Sequence, residues 1–448
     1  MPGRVVLGVG AGIAAYKSCE LLRLLTESGY RVRVVPTPDA LRFVGEATWA
    51  ALSGEPVTTD VWTAVAEVPH VRLGQSADLV LIAPATADLM ARAAAGMAGD
   101  LLTATVLTAR CPVIYAPAMH IEMWEHPATQ ANVSLLRDRG AIVLEPAVGR
   151  LTGADSGAGR LPEPAEIFAV ATRVLARRSH QARPGDNPPL DLAGRRVVVS
   201  AGGTREEIDP VRFIGNWSSG MQGYALARTA VARGAEVVVV AANVALPDPA
   251  GVKVVRVISA RDMQDAVTAA TAQGSGVDAV VMAAAVADYR PATRNAAKLK
   301  KDGQPPEPLA LTENPDILAG LAARRTHEPG PQVLVGFAAE TDTAAGAAQA
   351  KLARKGCDLL VVNPVGNGLG FGTIDNEAVV YGADGTVTQV PRGPKDALAD
   401  VVWDLVAARF GQDRPDSRKT ITLQLSGQTP VSREADLAGR LNYSASPG

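Results

Sequence analysis

The chain has 448 residues, which at about 150 residues per domain predicts two or three domains. Its 44 lysines and arginines nearly balance 46 aspartates and glutamates, and the net charge of -2 excludes the broad positive field of a dedicated nucleic-acid-binding protein. Hydrophobic residues make up 47% of the chain and aromatic residues only 4%, so we expect packed cores built mainly from Ala, Val and Leu.

The sequence has neither membrane-spanning nor secretory features. Its longest uninterrupted apolar run, 279–287, is far short of the roughly 20 residues that span a bilayer. Glycines interrupt the short apolar stretch near the N-terminus, so we expect no signal peptide. The cysteines, Cys19, Cys111 and Cys357, have no CxxC spacing, which disfavours a disulfide framework or a cysteine-based zinc site. We therefore expect a cytoplasmic protein.

Strand patterns alternate with helical patterns through residues 1–177. Strands are predicted in RVVLGVG, YRVRVVPT, DLVLIAPAT, PVIYAPAM and AIVLEPA, and the helices include IAAYKSCELLRLLTESG and residues 101–109. Buried runs of Val, Ile and Leu separated by helices indicate a parallel, doubly wound sheet. Residues 178–190 are rich in proline and charge and have no periodicity, so they are predicted to form a linker.

A second α/β domain is predicted over 191–411. It opens with RRVVVSAGGT, continues with a helix near 223–233 and strands in AEVVVVAANV, DAVVMAAAVAD and DLLVVNPVG, and ends with a helix near 395–410. Residues 412–448 are polar and are predicted to be a disordered tail, although ITLQL could form an isolated strand. The fold class is therefore α/β, with two doubly wound, mainly parallel, Rossmann-like domains joined by a linker.

Glycines follow the first predicted strand, where backbone N–H groups at a helix N-terminus can approach a phosphate. Residues 10–15 fit GxGxxA loosely. A dinucleotide site also needs an acidic residue after the second strand to hold a ribose, but this chain has Val35, Pro36 and Thr37 there. Because a hydroxyl suits a phosphate better than a ribose diol, the pattern favours a mononucleotide. A tight turn without a ligand is the alternative.

Two further strands end in proline-containing turns, 83–88 and 116–120, which should line one crevice beyond the carboxyl ends of the sheet. The motifs GAGIAAYK, APATADLMARAAAGMAGDLL and APAMHIEMW resemble those of the flavin-dependent cysteine decarboxylase family, in particular its phosphopantothenoylcysteine decarboxylase branch, over residues 1–175. The resemblance implies a flavodoxin-like domain with FMN as cofactor. The FMN-binding residues that it implies are Gly10, Ala11, Gly12, Thr37, Phe43, Pro84, Ala85, Thr86 and Met119.

The same resemblance implies that the cysteinyl thiol of a substrate is oxidised to a thioaldehyde, the carboxylate leaves as carbon dioxide, and the electrons then return. The family's acid–base histidine matches His70, which on its own pattern would simply begin a surface helix. The family's asparagine that binds the departing carboxylate is His120 here, and the cysteine of the flap motif, 152–160, is Gly153. We hypothesise that His120, or a water held by the flap, supplies the proton that the flap cysteine gives in relatives.

His120, Glu122 and His126 could also suggest a metal site, because H-x-E occurs in the zinc deaminases. The chain has no PCxxC partner, and Met123 and Trp124 occupy the spacing where further ligands would be needed. The sequence therefore disfavours metal binding at this position.

Lysine is scarce and clustered. Only nine of the 44 cations are lysines, and five of these are Lys298, Lys300, Lys301, Lys351 and Lys355. The last two lie four residues apart on a predicted helix, a like-charge pairing that costs a few tenths of a kcal/mol. A nearby anion would make this pairing favourable instead of costly, and a triphosphate with a divalent ion is the candidate anion. A nucleic-acid patch is disfavoured, because five lysines without aromatic residues make too short a footprint.

A polar glycine-rich loop, 201–206, follows the first strand of the second half, and such loops cradle anions; a merely polar loop is the alternative. The motifs SAGGTREEIDPVRFIGNWSSG, MAAAVADYRP, AAKLKK, ENPDIL, GFAAET and KLARKGCD resemble phosphopantothenate–cysteine ligase over residues 191–411. The resemblance implies that CTP and a divalent metal activate the 4'-phosphopantothenate carboxylate as an acyl-cytidylate, with release of pyrophosphate. The amine of cysteine then attacks.

The ligase resemblance also implies roles for individual residues. Asn216 helps to turn over the acyl-cytidylate, and Lys298 stabilises anionic charge. The CTP-binding residues that it implies are Met282, Asp288, Lys298, Pro315, Asp316, Ile317, Leu318, Phe337, Lys351 and Lys355. Mg²⁺ would be held with CTP, and Asp288 is the candidate ligand. In ENPDIL we predict Asn314 as the N-cap and Pro315 as the first helical residue, so that a helix terminus faces an anion.

Together the two resemblances imply a bifunctional enzyme of coenzyme A biosynthesis, in which the second half makes a cysteine amide and the first half decarboxylates it to 4'-phosphopantetheine. Two alternatives stay open. One is a flavoprotein regulatory subunit without catalysis, which the residues at 120 and 153 favour, and the other is a ligase with an inactive decarboxylase half. The expected partners are small-molecule substrates, without nucleic acid or membrane. Trimeric decarboxylases and dimeric ligases in these families imply a homo-oligomer, compatible with a dodecamer.

Overall fold

A computed structural model describes residues 3–60, 68–150, 156–181, 190–300, 308–340, 345–365, 373 and 375–410. These residues belong to one unit, which ends at Phe410. The predicted tail, Gly153 and Lys301 lie outside the described residues.

The first half contains a five-stranded parallel sheet in the order β2-β1-β3-β4-β5. Its strands are β1 (Arg4–Val9), β2 (Arg31–Pro36), β3 (Leu79–Ala85), β4 (Val113–Pro117) and β5 (Ile142–Val143), and a separate antiparallel hairpin is formed by β6 (Ala147–Arg150) and β7 (Ser156–Arg160). The strand order reverses between β1 and β3, which is the point where flavodoxin-like folds bind their ligand. The predicted doubly wound sheet is confirmed.

Helices cover both faces of this sheet. They are α1 (Lys17–Glu27), α2 (Glu46–Ser53), α3 (Pro69–Ser76), α4 (Ala87–Ala94), α5 (Leu101–Thr108), α6 (Ile121–Glu125), α7 (Pro127–Asp138) and α8 (Pro164–Gln181), with short 3-10 helices at Ile13–Tyr16 and Pro38–Arg42. Helix α1 forms because Leu21, Leu22 and Leu25 recur at helical spacing, and all three are fully buried against the sheet.

Helix α8 corrects the predicted linker boundary. We expected the linker to begin at residue 178, but α8 continues to Gln181, and residues 182–189 lie outside the described residues. The helix continues because no glycine or proline interrupts it before that point, and because its last arginines are held in place. Arg177 pairs with Asp191 at 3.3 Å, and Arg178 donates to the carbonyl oxygen of Asp78 at 2.9 Å.

The second half contains an eight-stranded sheet in the order β12-β11-β8-β13-β16-β17-β18-β19. Its strands are β8 (Arg196–Gly202), β11 (Glu236–Ala242), β12 (Val252–Val257), β13 (Val277–Met282), β16 (Val333–Glu340), β17 (Leu359–Pro364), β18 (Asp375–Gly382) and β19 (Val387–Pro394), and two small hairpins pair β9 (Arg205–Glu207) with β10 (Phe213–Gly215) and β14 (Tyr289–Pro291) with β15 (Leu311–Glu313). The first six strands in this order are parallel, whereas β18 and β19 add an antiparallel edge.

The helices of the second half are α9 (Met221–Ala232), α10 (Ala260–Ala270), α11 (Ile317–Arg325), α12 (Ala345–Lys355) and α13 (Lys395–Arg409). Helices α9 and α13 pack on each other, and α8 of the first half packs on α9. One hydrophobic cluster therefore includes valines of both sheets, as well as Ile167 of α8 and Tyr224 of α9. Within the described residues, no helix is both long and apolar enough to cross a membrane.

Candidate active sites

The ends of four neighbouring strands meet at one edge of the first sheet. The N–H of Gly10 donates to the carbonyl oxygen of Pro84 at 2.9 Å, and the N–H of Ala118 donates to that of Ala85 at 3.1 Å. A side chain at position 10 would not fit, since its Cβ would lie 2.6 Å from the Pro84 oxygen. The Thr37 N–H donates to Val9 O at 2.9 Å, which brings the end of β2 to the same edge.

Thr37 has the properties of a ligand-binding residue. Its side chain is 5% exposed, and its Oγ1 atom is buried without a hydrogen-bond partner among the described residues. A buried hydroxyl without a partner is costly, so it fits a site that receives a polar ligand atom such as a phosphate oxygen. Gly12 is the N-cap of a 3-10 helix, and a Cβ there would lie 3.7 Å from Thr86 Cγ2. Ile13 and Phe43 expose apolar surface near the same strand ends.

The other residues predicted to bind FMN lie at neighbouring strand ends. Pro84 and Ala85 end β3, and Thr86 is the N-cap of α4, because its Oγ1 accepts the Leu89 N–H at 3.3 Å. Met119 follows β4, and its N–H donates to the carbonyl oxygen of Gly159 in β7 at 2.9 Å. The structure thus places these residues at the ends of neighbouring strands. Residues 152–155 of the flap motif lie outside the described residues.

His70 is the second residue of α3, as expected for a residue at the start of a helix. Helix α3 packs on α5, and Thr108 Oγ1 donates to the carbonyl oxygen of His70 at 2.8 Å. The His70 Nδ1 atom is buried and has no hydrogen-bond partner among the described residues. In the described part of the chain, one imidazole nitrogen therefore has no protein partner, and no hydrogen bond joins His70 to the strand ends.

His120 is the N-cap of α6, and its Nδ1 contacts the carboxylate of Glu122. The sequence predicted His120 as a site residue but did not anticipate this contact with Glu122. A backbone N–H and the His120 imidazole lower the pKa of the Glu122 carboxyl. In the described part of the chain no three His, Cys, Asp or Glu side chains come together as metal ligands.

The second site forms where β8 and β13 end. The N–H of Ala287 donates to Thr204 Oγ1 at 2.9 Å, and the Asn216 amide donates to the carbonyl oxygen of Val286 at 3.0 Å. Gly203 is required here, since a Cβ at this position would lie 2.4 Å from the carbonyl oxygen of Asn216. Asn216 is therefore held against the loop that follows β13 and carries Asp288.

Residues of the predicted CTP site lie on adjacent elements. Met282 ends β13 and is buried, and it pairs in register with Gly336, directly before Phe337 in β16. Phe337 is half-buried, and Asp288 is exposed.

The predicted start of the helix in ENPDIL was wrong. Asp316, not Asn314, is the N-cap of α11, because its carboxylate accepts the Ala319 N–H at 3.1 Å, and the helix begins at Ile317 rather than Pro315. Asn314 is engaged elsewhere, since its amide donates to the carbonyl oxygen of Ala287 at 2.9 Å. The Asn314 side chain, which we expected to cap the helix, instead binds the loop that follows β13.

Lys351 and Lys355 lie on α12, as predicted, and each has a carboxylate partner. Lys351 Nζ is 2.7 Å from Glu340 Oε1, and Lys355 Nζ is 2.5 Å from Asp316 Oδ2. The repulsion expected between the two lysines is therefore already offset by protein carboxylates. Asp316 thus caps α11 and also holds Lys355 beside the N-terminus of this helix.

Lys298 lies in an exposed segment without helix or strand, yet this segment is anchored. The N–H of Leu299 donates to Asp209 Oδ2 at 3.2 Å, and the N–H of Asn295 donates to the carbonyl oxygen of Ile208 at 2.9 Å. Sequence reasoning missed Asp209. The sequence feature that could have indicated it is the position of Asp209 before a proline, in the polar part of the motif SAGGTREEIDPVRFIGNWSSG.

Comparisons with known proteins agree with this arrangement. Residues 2–176 match the family model described as Flavoprotein, and residues 192–410 match that of the DNA/pantothenate metabolism flavoprotein C-terminal domain. The coenzyme A biosynthesis bifunctional protein CoaBC of Mycobacterium tuberculosis is 58% identical over 413 residues, which covers 91% of this chain and 96% of that relative. The protein of the same name from Vibrio vulnificus is 42% identical, covering 91% of this chain and 98% of the relative.

A solved structure described as the FMN binding protein AtHal3 is 28% identical, with a TM-score of 0.36, and covers 41% of this chain and 100% of that chain. The fold and the two family models define a flavoprotein domain followed by a second Rossmann-like domain. The chain belongs to the family of the coenzyme A biosynthesis bifunctional proteins CoaBC, which combine phosphopantothenoylcysteine decarboxylase and phosphopantothenate–cysteine ligase activities. The resemblance that the motifs carry is thereby confirmed.

Proposed function

We propose that the second half joins cysteine to 4'-phosphopantothenate with CTP and Mg²⁺, and that the first half decarboxylates the product to 4'-phosphopantetheine with FMN. The main support is that motif residues of each half lie at or just after the carboxyl ends of its strands, such as Thr37 and Thr86 in the first half and Gly203 and Met282 in the second, where open parallel sheets bind ligands. The second half thus supplies the substrate of the first.

In the first half, the N–H groups around Gly12 and the free hydroxyl of Thr37 would hold the phosphate of FMN, and the turns after β3 and β4 would flank its ring. When bound, this flavin supplies a reversible two-electron oxidation. His70 Nδ1, which has no hydrogen-bond partner among the residues that the structure describes, would accept or donate a proton. His120, held by Glu122 at the start of α6, can donate a hydrogen bond to the substrate carboxylate.

In the second half, the 4'-phosphopantothenate carboxylate forms a bond to the α-phosphorus of CTP as the bond to pyrophosphate breaks. The cysteine amine then forms the amide bond, CMP leaves, and the amine loses a proton to solvent. Asn216 orients the acyl-cytidylate for this attack, and the Lys298 ammonium stabilises the negative charge that develops. The nucleotide would lie across the loop after β13, the start of α11 and the lysines of α12.

The assay that tests this function uses the purified full chain with 4'-phosphopantothenate, cysteine, CTP and Mg²⁺. We expect CTP-dependent release of pyrophosphate, formation of carbon dioxide, and a yellow flavin spectrum. Pyrophosphate without carbon dioxide would support a ligase with an inactive first half. Neither product would support a regulatory flavoprotein.

We also propose a cytoplasmic homo-oligomer with trimeric decarboxylase units and dimeric ligase units. Large apolar side chains on the small hairpins of the second half support a subunit contact there. Phe213 and Tyr289 are exposed, and Trp217, beside Asn216, is 85% exposed. The mass of the full chain in solution tests this assembly.

A further inference from the structure

Asp209 is a buried carboxylate whose hydrogen bonds come almost entirely from one turn and one distant segment. Its side chain accepts the N–H groups of Val211 and Arg212, both at 2.8 Å, and that of Leu299 at 3.2 Å. The Arg212 guanidinium also donates to it, at 2.6 Å and 3.0 Å. Burial opposes ionisation, but these backbone donors outweigh it and hold the pKa of Asp209 far below its usual range.

These contacts fix the segment that carries Lys298. Arg212 Nη2 donates to the carbonyl oxygen of Leu299 at 2.6 Å, so Asp209 and Arg212 together bind both the N–H and the carbonyl group of the residue next to Lys298. Arg294 pairs with Glu207 of β9 at 2.5 Å. Because the segment forms no helix or strand of its own, its position depends on these links to the β9–β10 hairpin.

The same hairpin also positions Asn216. Strand β10 ends at Gly215, and the Asn216 amide then donates to the carbonyl oxygen of Val286. The Asp209 turn lies between β9 and β10, so a single hairpin connects the two residues proposed to act in ligation. If the Asp209 carboxylate only shaped this turn, the N–H groups of Val211 and Arg212 would be sufficient donors. The additional bond from the N–H of Leu299, which is 90 residues away, indicates a second role.

We propose that Asp209 is a positioning residue for ligation, which holds the Lys298 ammonium at a fixed place relative to Asn216 and the reacting carboxylate. This inference rests on the proposed ligase function of the second half. The negative charge of Asp209 is neutralised by Arg212 and by backbone N–H groups, so Asp209 acts through geometry rather than by contact with substrate. A misplaced catalytic group can cost roughly a hundredfold in rate.

The test is Asp209→Asn in the full chain. The neutral amide cannot accept all the N–H donors that now meet at the carboxylate, so the Leu299 segment should be released. We expect kcat for CTP-dependent pyrophosphate release to fall between about tenfold and about a hundredfold, with KM for CTP changed less than about twofold. Decarboxylation of preformed 4'-phosphopantothenoylcysteine by the same protein should be unchanged, which reports that the chain is folded.

Asp262→Asn is the matched control. Asp262 is another carboxylate with a lowered pKa that accepts two backbone N–H groups, from Ile258 and Ser259. It completes the capping box of α10 with the N-cap Ser259, and no hydrogen bond among the described residues joins it to the Lys298 segment. We expect it to leave the kcat of ligation within about twofold of wild type. An equal loss in this control would mean that the effect is general, and would overturn the proposal.

A double-mutant cycle separates positioning from a purely structural role. If Asp209 acts through Lys298, then Asp209→Asn should lower kcat much less in a Lys298→Ala background than in the wild type. Arg212→Met removes the guanidinium bonds to Asp209 and to the Leu299 carbonyl but keeps the three backbone bonds of Asp209, and as a second variant it should lower kcat in the same direction. Additive losses in the cycle would overturn the proposal.

The outcomes distinguish this inference from the function on which it rests. An active wild-type ligase with full kcat in both Asp209→Asn and Arg212→Met would overturn the positioning role alone. A wild-type chain that released no pyrophosphate with CTP would overturn the proposed ligation, and the inference with it.

Discussion

The Thr37 hydroxyl, directly after β2, is buried and has no hydrogen-bond partner in the described part of the protein. Thr37→Val keeps the shape of the side chain and removes only this hydroxyl. We expect FMN affinity to fall about tenfold, because one hydrogen bond to a phosphate oxygen is lost, while the stability of the flavin-free protein stays equal or rises slightly. Titration of flavin-free protein with FMN, followed by flavin fluorescence, measures the affinity.

Thr105→Val is the control for this substitution. The buried hydroxyl of Thr105 donates to the carbonyl oxygen of Leu101 at 2.7 Å within α5. Its removal should cost about 1 kcal/mol of unfolding free energy without changing FMN affinity. Unchanged affinity in Thr37→Val would exclude the hydroxyl as a phosphate ligand.

Lys298 differs from its neighbours Lys300 and Lys301 in the role that the motif implies. A compact ammonium acts as a point charge that a forked guanidinium does not reproduce, so Lys298→Arg should lower the kcat of ligation at least about tenfold although the charge is kept. Lys300→Arg, two residues on in the same exposed segment, should have wild-type turnover. Pyrophosphate release measures both, and wild-type turnover in Lys298→Arg would contradict the assignment.

At the scale of elements, α11 depends on a cap that also holds a lysine. Asp316→Ala removes the acceptor of the Ala319 N–H and the partner of Lys355, so it should lower the unfolding free energy by about 1 kcal/mol. Asp316→Asn keeps a good N-cap and loses only the partly exposed ion pair, and should cost less than about 0.5 kcal/mol. Urea unfolding compares the two variants, and equal losses would show that the ion pair rather than the cap matters.

Strand and helix positions were largely predictable, because they follow from local patterns. Parallel strands buried on both faces appear as continuous Val-rich runs, as in β8 and β13, and glycine turns mark where β1 and β8 end. The start of α11 was not predictable in the same way. Asn314, Pro315 and Asp316 all have helix-start chemistry, and only the contact between Asn314 and Ala287 decides which side chain is free to cap.

At the scale of the whole molecule, arginines and aspartates join the two halves. Arg233, the C-cap residue of α9, is fully buried and binds Asp191 as well as Asp404 of α13, the latter at 2.8 Å. Arg173 of α8 binds Asp400 of α13. The contacts of Arg233 lie within the second half. Arg173 of α8 and Arg177 of α8, which pairs with Asp191, extend this network into the first half.

Arg233→Met should therefore destabilise both halves together. It keeps the apolar part of the side chain but leaves Asp191 and Asp404 without their buried partner. We expect a loss of about 3 kcal/mol, at the lower end for a buried pair because Asp404 is more than half exposed. Urea unfolding should abolish ligation and decarboxylation in one shared transition.

Arg256→Met provides the comparison, since Arg256 forms an exposed ion pair with Asp248 and should cost at most about 1 kcal/mol. Equal destabilisation of the two variants, or separate loss of the two activities in Arg233→Met, would contradict an integrating role for the buried network.

The sequence by itself determined the fold class, the two α/β halves, and the motif residues at the strand ends, since each of these follows from short-range patterns and from the rule that ligands bind beyond parallel strands. Only the tertiary structure decided which charged groups meet. The contacts of Asp209 with Leu299, of Glu340 with Lys351, and of Arg233 with Asp404 join residues far apart in the chain. Periodicity reports which face of an element is buried, but not which distant polar group that face meets, so these partners appear only when the chain is folded.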